Sequence, residues 1–307
     1  MKVIIGTRGS KLALWQANTV KSLLEEKYPD VEFELRIIKT TGDIDQKTPL
    51  SQMGGIGLFT KQLEKALEDK EIDIAVHSFK DMPSVIDERF EIAAVLKREK
   101  VNDVFISKKY TLNDLKDKTL VIGTGSLRRV SQLKANFPQI ETKNLRGNVD
   151  TRLRKLEEGQ YDGIILAYAG VKRLGFEDRI TDIIPTDILI PAVAQGAVAV
   201  EIRRGDEKVK EIVSSINHRE TEICVEQERD FLRIVEGGCR VPVGAYARFD
   251  GDSFVIDGFV GSLNGERIVK HKIILPKDDI EDSGKNLANY ILENGGREIL
   301  KEVEKRC

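Results

Sequence analysis

Apolar residues along this chain fall into short runs that end in glycine-rich turns and give way to helical periodicity. Val3-Ile4-Ile5 leads through Gly6-Thr7-Arg8-Gly9-Ser10 into a helix pattern carrying Leu12, Leu14, Trp15, Val20, Leu23 and Leu24. Leu120-Val121-Ile122 leads through Gly123-Thr124-Gly125-Ser126 into a second, with Leu127, Val130, Leu133 and Ala135. Each reads as a buried strand, a tight turn and an amphipathic helix. A further pair of echoes follows: residues 70–78 and 159–167 both read as buried strands ending in a loop. The doubling predicts two α/β domains of similar topology, whose helix N-termini line a shared cleft and favour anions. Any two βα units share this look, so the pattern alone leaves unrelated domains open.

Charge and turn signals divide the chain further. Lys97-Arg98-Glu99-Lys100-Val101 is a charged connection, and Pro191-Ala192-Val193-Ala194-Gln195-Gly196 reads as the return crossing. Ala197-Val198-Ala199-Val200-Glu201 then reads as a strand rejoining the first domain. The expected division is residues 1–96 with 197–214 as domain 1, 102–190 as domain 2, and a two-segment hinge at 97–101 and 191–196. From Arg219 a helix pattern runs to Gly237-Gly238, a helix-ending pair. Strands are expected at Val243 to Arg248, Ser253 to Val260 and Arg267 to Leu275, with hairpin turns at Asp250-Gly251 and Asn264-Gly265. Helices follow, so residues 219–307 read as a small α+β domain with a three-stranded antiparallel sheet.

Composition narrows the function classes. With 49 basic and 51 acidic residues among 307, the formal net charge is -2, which does not favour nucleic-acid binding. The longest apolar run, Ile164 to Val171, is far too short to cross a membrane. The first residues read as a strand rather than as a signal peptide. Three cysteines at unpaired spacings (Cys224, Cys239, Cys307) and three scattered histidines argue against a disulfide framework and against a metal site. A reducing cytoplasm is the expected location.

Three groups of residues could carry chemistry. Arg8, Arg128, Arg129, Arg146, Arg152 and Arg173 sit in or just after loops rich in Gly, Ser, Thr or Asn. Arginine presents a planar fork suited to carboxylate or phosphate. Solvated surface charge would account for any one of them, but repetition in both halves points to a ligand with several negative charges. Neither Gly123-Thr124-Gly125-Ser126 nor Gly54-Gly55-Ile56-Gly57 has nucleotide-loop spacing. In Val76-His77-Ser78-Phe79-Lys80-Asp81-Met82-Pro83 a buried strand releases Ser78, Lys80 and Asp81 at its C-terminal edge, where open α/β sheets hold ligands. Cys239 lies in the glycine-flanked loop Glu236-Gly237-Gly238-Cys239-Arg240, a candidate nucleophile or attachment point. Cys224, between Ile223 and Val225 on a helix pattern, reads as a packing residue.

Together these segments resemble the porphobilinogen deaminases (hydroxymethylbilane synthases) over nearly the whole chain. The resemblance is carried by Gly6 through Gln16, Gly57-Leu58-Phe59-Thr60-Lys61, His77 through Pro83, Gly125-Ser126-Leu127-Arg128-Arg129, Leu145 through Val149, Pro191 through Gly196, and Glu236-Gly237-Gly238-Cys239. It implies two domains like those of type II periplasmic binding proteins plus a small cofactor-bearing domain. It implies a monomer that joins four porphobilinogens into a linear tetrapyrrole, on a dipyrromethane held by Cys239 through a thioether. By the same resemblance Asp81 is the catalytic carboxylate. Arg8, Arg128, Arg129, Arg146, Arg152, Arg173 and Lys80 bind carboxylates, with Ser10, Ser78, Thr124, Ser126 and Gln195 beside them, and Phe59 belongs to a covering loop. Gln52 and Ile56 stand where the family often has lysines, so either that loop holds carboxylates less strongly or Lys61 contributes.

Overall fold

The computed structural model describes residues 1–39, 60–235 and 241–305. Two compact units are present, Met1–Glu99 with Gly196–Ile223, and Lys100–Gln195 with Cys224–Cys307.

The first unit contains β1 (Lys2–Thr7), α1 (Lys11–Lys27), β2 (Glu32–Ile37), α2 (Lys61–Glu68), β3 (Ile74–Ser78) and β4 (Phe90–Val95). In the second lie β5 (Asp103–Ile106), β6 (Val121–Gly123), α3 (Leu127–Asn136), β7 (Glu141–Lys143), α4 (Val149–Glu157), β8 (Gly163–Ala167), α5 (Tyr168–Arg173) and β9 (Asp182–Ile183). The chain then returns to the first unit for β10 (Val198–Arg203) and α6 (Glu207–Ser214). Finally come α7 (Arg219–Val235), β11 (Val243–Asp250), β12 (Ser253–Gly261), β13 (Ile268–Pro276), α8 (Ser283–Ile291) and α9 (Arg297–Glu304).

The two five-stranded sheets have the same plan. The first runs β2-β1-β3-β10-β4 and the second β7-β6-β8-β5-β9. In each, the first three strands are mutually parallel and the fourth is antiparallel to both its neighbours. The sequence echoes therefore occupy equivalent places: β1 matches β6, and β3 matches β8. The antiparallel strand is in each case the one nearest a crossing, β10 after the return and β5 after the departure.

Both faces of the first sheet are covered, which is why its strands read as continuous apolar runs. Ala17, Val20 and Leu24 of α1 pack with Val3, Ile5, Val76, Val200 and the α6 residues Val209, Ile212 and Val213. On the opposite face, Leu63, Ala66 and Leu67 of α2 pack with Ile72, Ala75 and Phe90. The second sheet likewise divides Leu153, Leu156 and Ile164 from Leu133, Phe137 and Ile165.

The last three strands form an antiparallel sheet in the order β11-β12-β13, close to the expected ranges. Gly251 and Gly265 adopt φ of 60° and 75° at its two turns, as hairpins of this kind require. At Gly258 a Cβ would fall 2.8 Å from Leu287 and 3.1 Å from Phe231, so α7 and α8 lie against one face. At Gly244 a Cβ would fall 2.5 Å from the Pro191 carbonyl oxygen, which seats the other face on the segment leaving β9. The fold class is the expected one: two like α/β sheets and a C-terminal three-stranded antiparallel sheet with helices. No helix among the described residues is long and apolar enough to cross a membrane.

Candidate active site

In the first unit the expected site residues gather at the C-terminal ends of β1 and β3, which are parallel neighbours. Arg8 directly follows β1. Ser10 caps α1, its Oγ accepting from the Ala13 amide at 3.3 Å. The Thr7 hydroxyl donates to the Ala13 carbonyl at 3.1 Å and ties the β1 end to the first turn of α1. Ser78 ends β3, and Phe79–Asp81 forms a single 3-10 turn that leaves Lys80 and Asp81 exposed. Gln16 of α1, 2% exposed, donates from Nε2 to Ser78 Oγ at 2.9 Å. Sequence reasoning gave Gln16 no role. Its signal was a polar residue on the buried stripe of an amphipathic helix.

The second unit holds Arg128 and Arg129 in the first turn of α3, each 5% exposed. Both are locked on Asp103, the first residue of β5, which is 0% exposed. Arg128 Nη2 donates to Oδ2 at 2.7 Å; Arg129 donates to Oδ1 from Nη2 at 2.7 Å and from Nε at 3.2 Å. Carbonyl oxygens take the remaining Nη1 groups, Ile190 from Arg128 and Ile165 from Arg129, both at 2.8 Å. Gln195 Nε2 completes the cluster, donating to Asp103 Oδ1 at 3.0 Å and to the Val101 carbonyl at 2.7 Å. All three guanidinium nitrogens of Arg129 are thus engaged within the protein. Arg128 keeps a buried Nε with no partner. Asp103 is the principal residue that sequence reading missed.

Around this cluster run the loops after β6 and β7. Thr124, 3% exposed, accepts from the Ser126 amide at 3.3 Å, and its own amide donates to the Lys143 carbonyl at 3.0 Å. A Cβ on Gly125 would stand 3.0 Å from the Leu145 carbonyl oxygen, so the two loops touch. Arg146 is half-buried, and its Nη1 is buried without a partner. Gly147, at φ of 111°, turns the chain into α4, and Arg152 Nε braces that turn through the Gly147 carbonyl at 2.7 Å. Arg173 closes α5, just beyond the C-terminal end of β8. Thr124, Ser126, Arg128, Arg129, Arg146 and Arg152 therefore share one region of the second unit. Phe59 and Cys239, with Gln52 and Ile56, lie outside the described residues.

The chemistry of this donor set is specific. Guanidinium nitrogens can only donate, and a buried donor left unpaired costs about 1–3 kcal/mol. The nitrogens left over on Arg128 and Arg146 suit acceptor-only groups such as carboxylates. Fold and donors together define an α/β protein with two like five-stranded sheets, a C-terminal three-stranded antiparallel sheet with helices, and buried arginine donors.

The comparisons with known proteins make the assignment particular. The family model described as "Porphobilinogen deaminase, dipyromethane cofactor binding domain" matches residues 3–211, and that of the "Porphobilinogen deaminase, C-terminal domain" matches 222–293. The porphobilinogen deaminase of Chlorobium phaeovibrioides is 45% identical over 311 residues, covering 100% of this chain and 99% of its own. That of Syntrophomonas wolfei is 48% identical over 302 residues, 98% of each chain. Among solved structures, immunogenic lipoprotein A of Vibrio vulnificus matches with a TM-score of 0.45 and 14% identity, over 73% of this chain and 99% of that one. The benzoate-bound BenM effector-binding domain matches at 0.44 and 15%, over 70% of this chain and 91% of that one. The chain belongs to the porphobilinogen deaminase family, and its activity is that of a porphobilinogen deaminase (hydroxymethylbilane synthase) of tetrapyrrole biosynthesis. Residues 3–211 correspond to the dipyrromethane cofactor-binding domain.

Proposed function

We propose that this chain deaminates four porphobilinogens and joins them head to tail into hydroxymethylbilane, with Asp81 as its catalytic carboxylate and Cys239 as the thioether attachment point of the dipyrromethane. The observation that carries the reading is the pair of unspent buried donors, Arg128 Nε and Arg146 Nη1. The residues present fit the cofactor, since each of its pyrroles carries two carboxylates. When bound, it supplies the free pyrrole α-carbon that primes chain growth.

The chain's own residues divide the remaining work. Arg128, Arg146, Arg152, Arg173, Thr124 and Ser126 hold carboxylates from the second unit; Arg8, Ser10, Ser78 and Lys80 do so from the first. Arg129 and Gln195 act through Asp103, to which both donate. Asp81 assists proton transfer at the aminomethyl nitrogen of porphobilinogen, which leaves as ammonia. Its carboxylate then offsets the positive charge left on the pyrrole and accepts from the pyrrole N–H. The exposure of Asp81 on a short turn after β3 supports this role, because substrate can reach it. Phe59 is assigned to a covering loop. The protein is read as a cytoplasmic monomer, a location that the small number of cysteines favours.

The intact mass of the denatured protein, with peptide mapping, tests the assignment. The expected result is an added mass of two porphobilinogen units less their ammonia on the Cys239 peptide. A protein that gains no such adduct on incubation with porphobilinogen would overturn it.

A further inference from the structure

β3 and β10 carry a buried histidine–glutamate pair that the chemistry above leaves unused. His77 Nε2 lies 2.9 Å from Glu201 Oε2, and the two side chains are 5% and 0% exposed. In the antiparallel register His77 faces Ala199 and Glu201 faces Ala75, so the pair lies diagonally on one sheet face. That face is the one covered by α2, through Leu63, Ala66 and Leu67 against Ala75 and Phe90. Glu201 Oε1 is buried with no partner. Buried carboxylates are costly unless fully hydrogen-bonded, and apolar side chains in such places are often as stable or more so. Stability is therefore a poor account of this pair.

Its position suggests another. From His77 the chain passes through Ser78 straight into the 3-10 turn that displays Lys80 and Asp81. The Phe79 amide donates to the Ala197 carbonyl at 3.1 Å, so the strand that holds Glu201 also braces that turn. The other charged groups around the pair are few. Glu64 of α2 is half-buried; burial pushes its carboxyl above the ordinary glutamate value, Glu201 pushes it the same way, and His77 pulls it down. Asp87, before β4, is paired with Arg89. Arg203, further along β10, is committed to Asp73 and Asp206. β1 presents Gly6 to this face, against Ile72 and Leu63, and its Lys2, on the same face, is paired with Glu32 and Glu34.

We propose that His77 and Glu201 are positioning residues for Asp81, fixing the turn after β3 that displays it. The inference rests on the role given to Asp81 above.

The test uses cofactor-loaded enzyme, with loading checked by mass, and compares His77→Gln, Glu201→Gln and the double variant. Each single change is expected to lower kcat about tenfold with KM within about twofold. The double variant loses no more than the worse single one, because the two residues act as a unit. An unchanged kcat, or losses confined to Tm, would overturn the proposal. Should Glu201→Gln not accumulate as folded protein, Glu201→Asp keeps the carboxyl but shortens the reach. It should lose kcat with KM held, and an unchanged kcat there would also overturn the proposal. Asp81→Asn measured alongside separates the two failures. If it stays active, the role of Asp81 falls; if it is inactive while Glu201→Gln keeps its kcat, only the role of the pair falls.

Discussion

Asp103 closes on the guanidinium of Arg129 with one carboxylate oxygen, Oδ1, which accepts from Nη2 at 2.7 Å and from Nε at 3.2 Å. Its other oxygen takes Arg128 at 2.7 Å, so one fully buried aspartate serves two buried arginines. The arrangement anchors the start of α3, where Arg128 Nε is buried without a partner.

Asp103→Asn should therefore destabilise the second unit sharply, by about 3–5 kcal/mol, because it leaves buried positive charge uncompensated. Urea unfolding measures this, and a loss under about 1 kcal/mol would contradict the cluster's assigned weight. The pH dependence has a definite sign. Burial pushes the Asp103 carboxyl up, but Arg128 and Arg129 outweigh it and hold it well below the usual carboxylate range. Its contribution is complete above the unfolded value of about 4 and is lost only as pH falls through the lower folded value.

Asp81→Asn should fold normally, since the side chain is exposed on a turn. Turnover should drop by about 100-fold or more, the scale of a lost acid–base group. Near-wild-type turnover in loaded enzyme would remove Asp81 from the mechanism.

Gln16→Met keeps the volume of a buried helix position but removes the donor that holds Ser78 Oγ at 2.9 Å. The expected cost is about 0.5–1.5 kcal/mol, with KM for porphobilinogen raised as Ser78 loses its orientation. A variant whose KM stays put would show that Ser78 does not depend on Gln16.

Gly244→Ala sets a Cβ 2.5 Å from the Pro191 carbonyl oxygen and 2.9 Å from Phe259. Backbone must move, at a cost of about 1–3 kcal/mol. Thermal unfolding should show the loss, and a second, earlier transition is expected as the C-terminal sheet loosens from residues 100–195. An unshifted Tm would mean that the contact yields freely.

Much of the architecture was legible because hydrophobic periodicity is a local signal. The doubled strand–turn–helix, the return of β10 to the first sheet and the three C-terminal strands all followed from spacing and turn residues. The arginines were legible as a set. What each one does was not, because donor capacity depends on partners far away in sequence. Asp103 stands in a stretch that reads as the end of a charged connection. Only the pairing of β5 with β8, which sets Asp103 opposite Ala167, brings it beneath α3. The His77–Glu201 pair was hidden likewise, since its members are 124 residues apart and meet through the β3–β10 register.

The sequence by itself thus determined which elements form, that they form twice, and which residue types line the loops, since periodicity, turn chemistry and charge are properties of neighbours. Tertiary structure alone decided which arginine nitrogens remain unspent and which carboxylates are buried behind the chemistry. Those outcomes depend on strand register and close backbone approach, and these exist only once distant segments have been packed together.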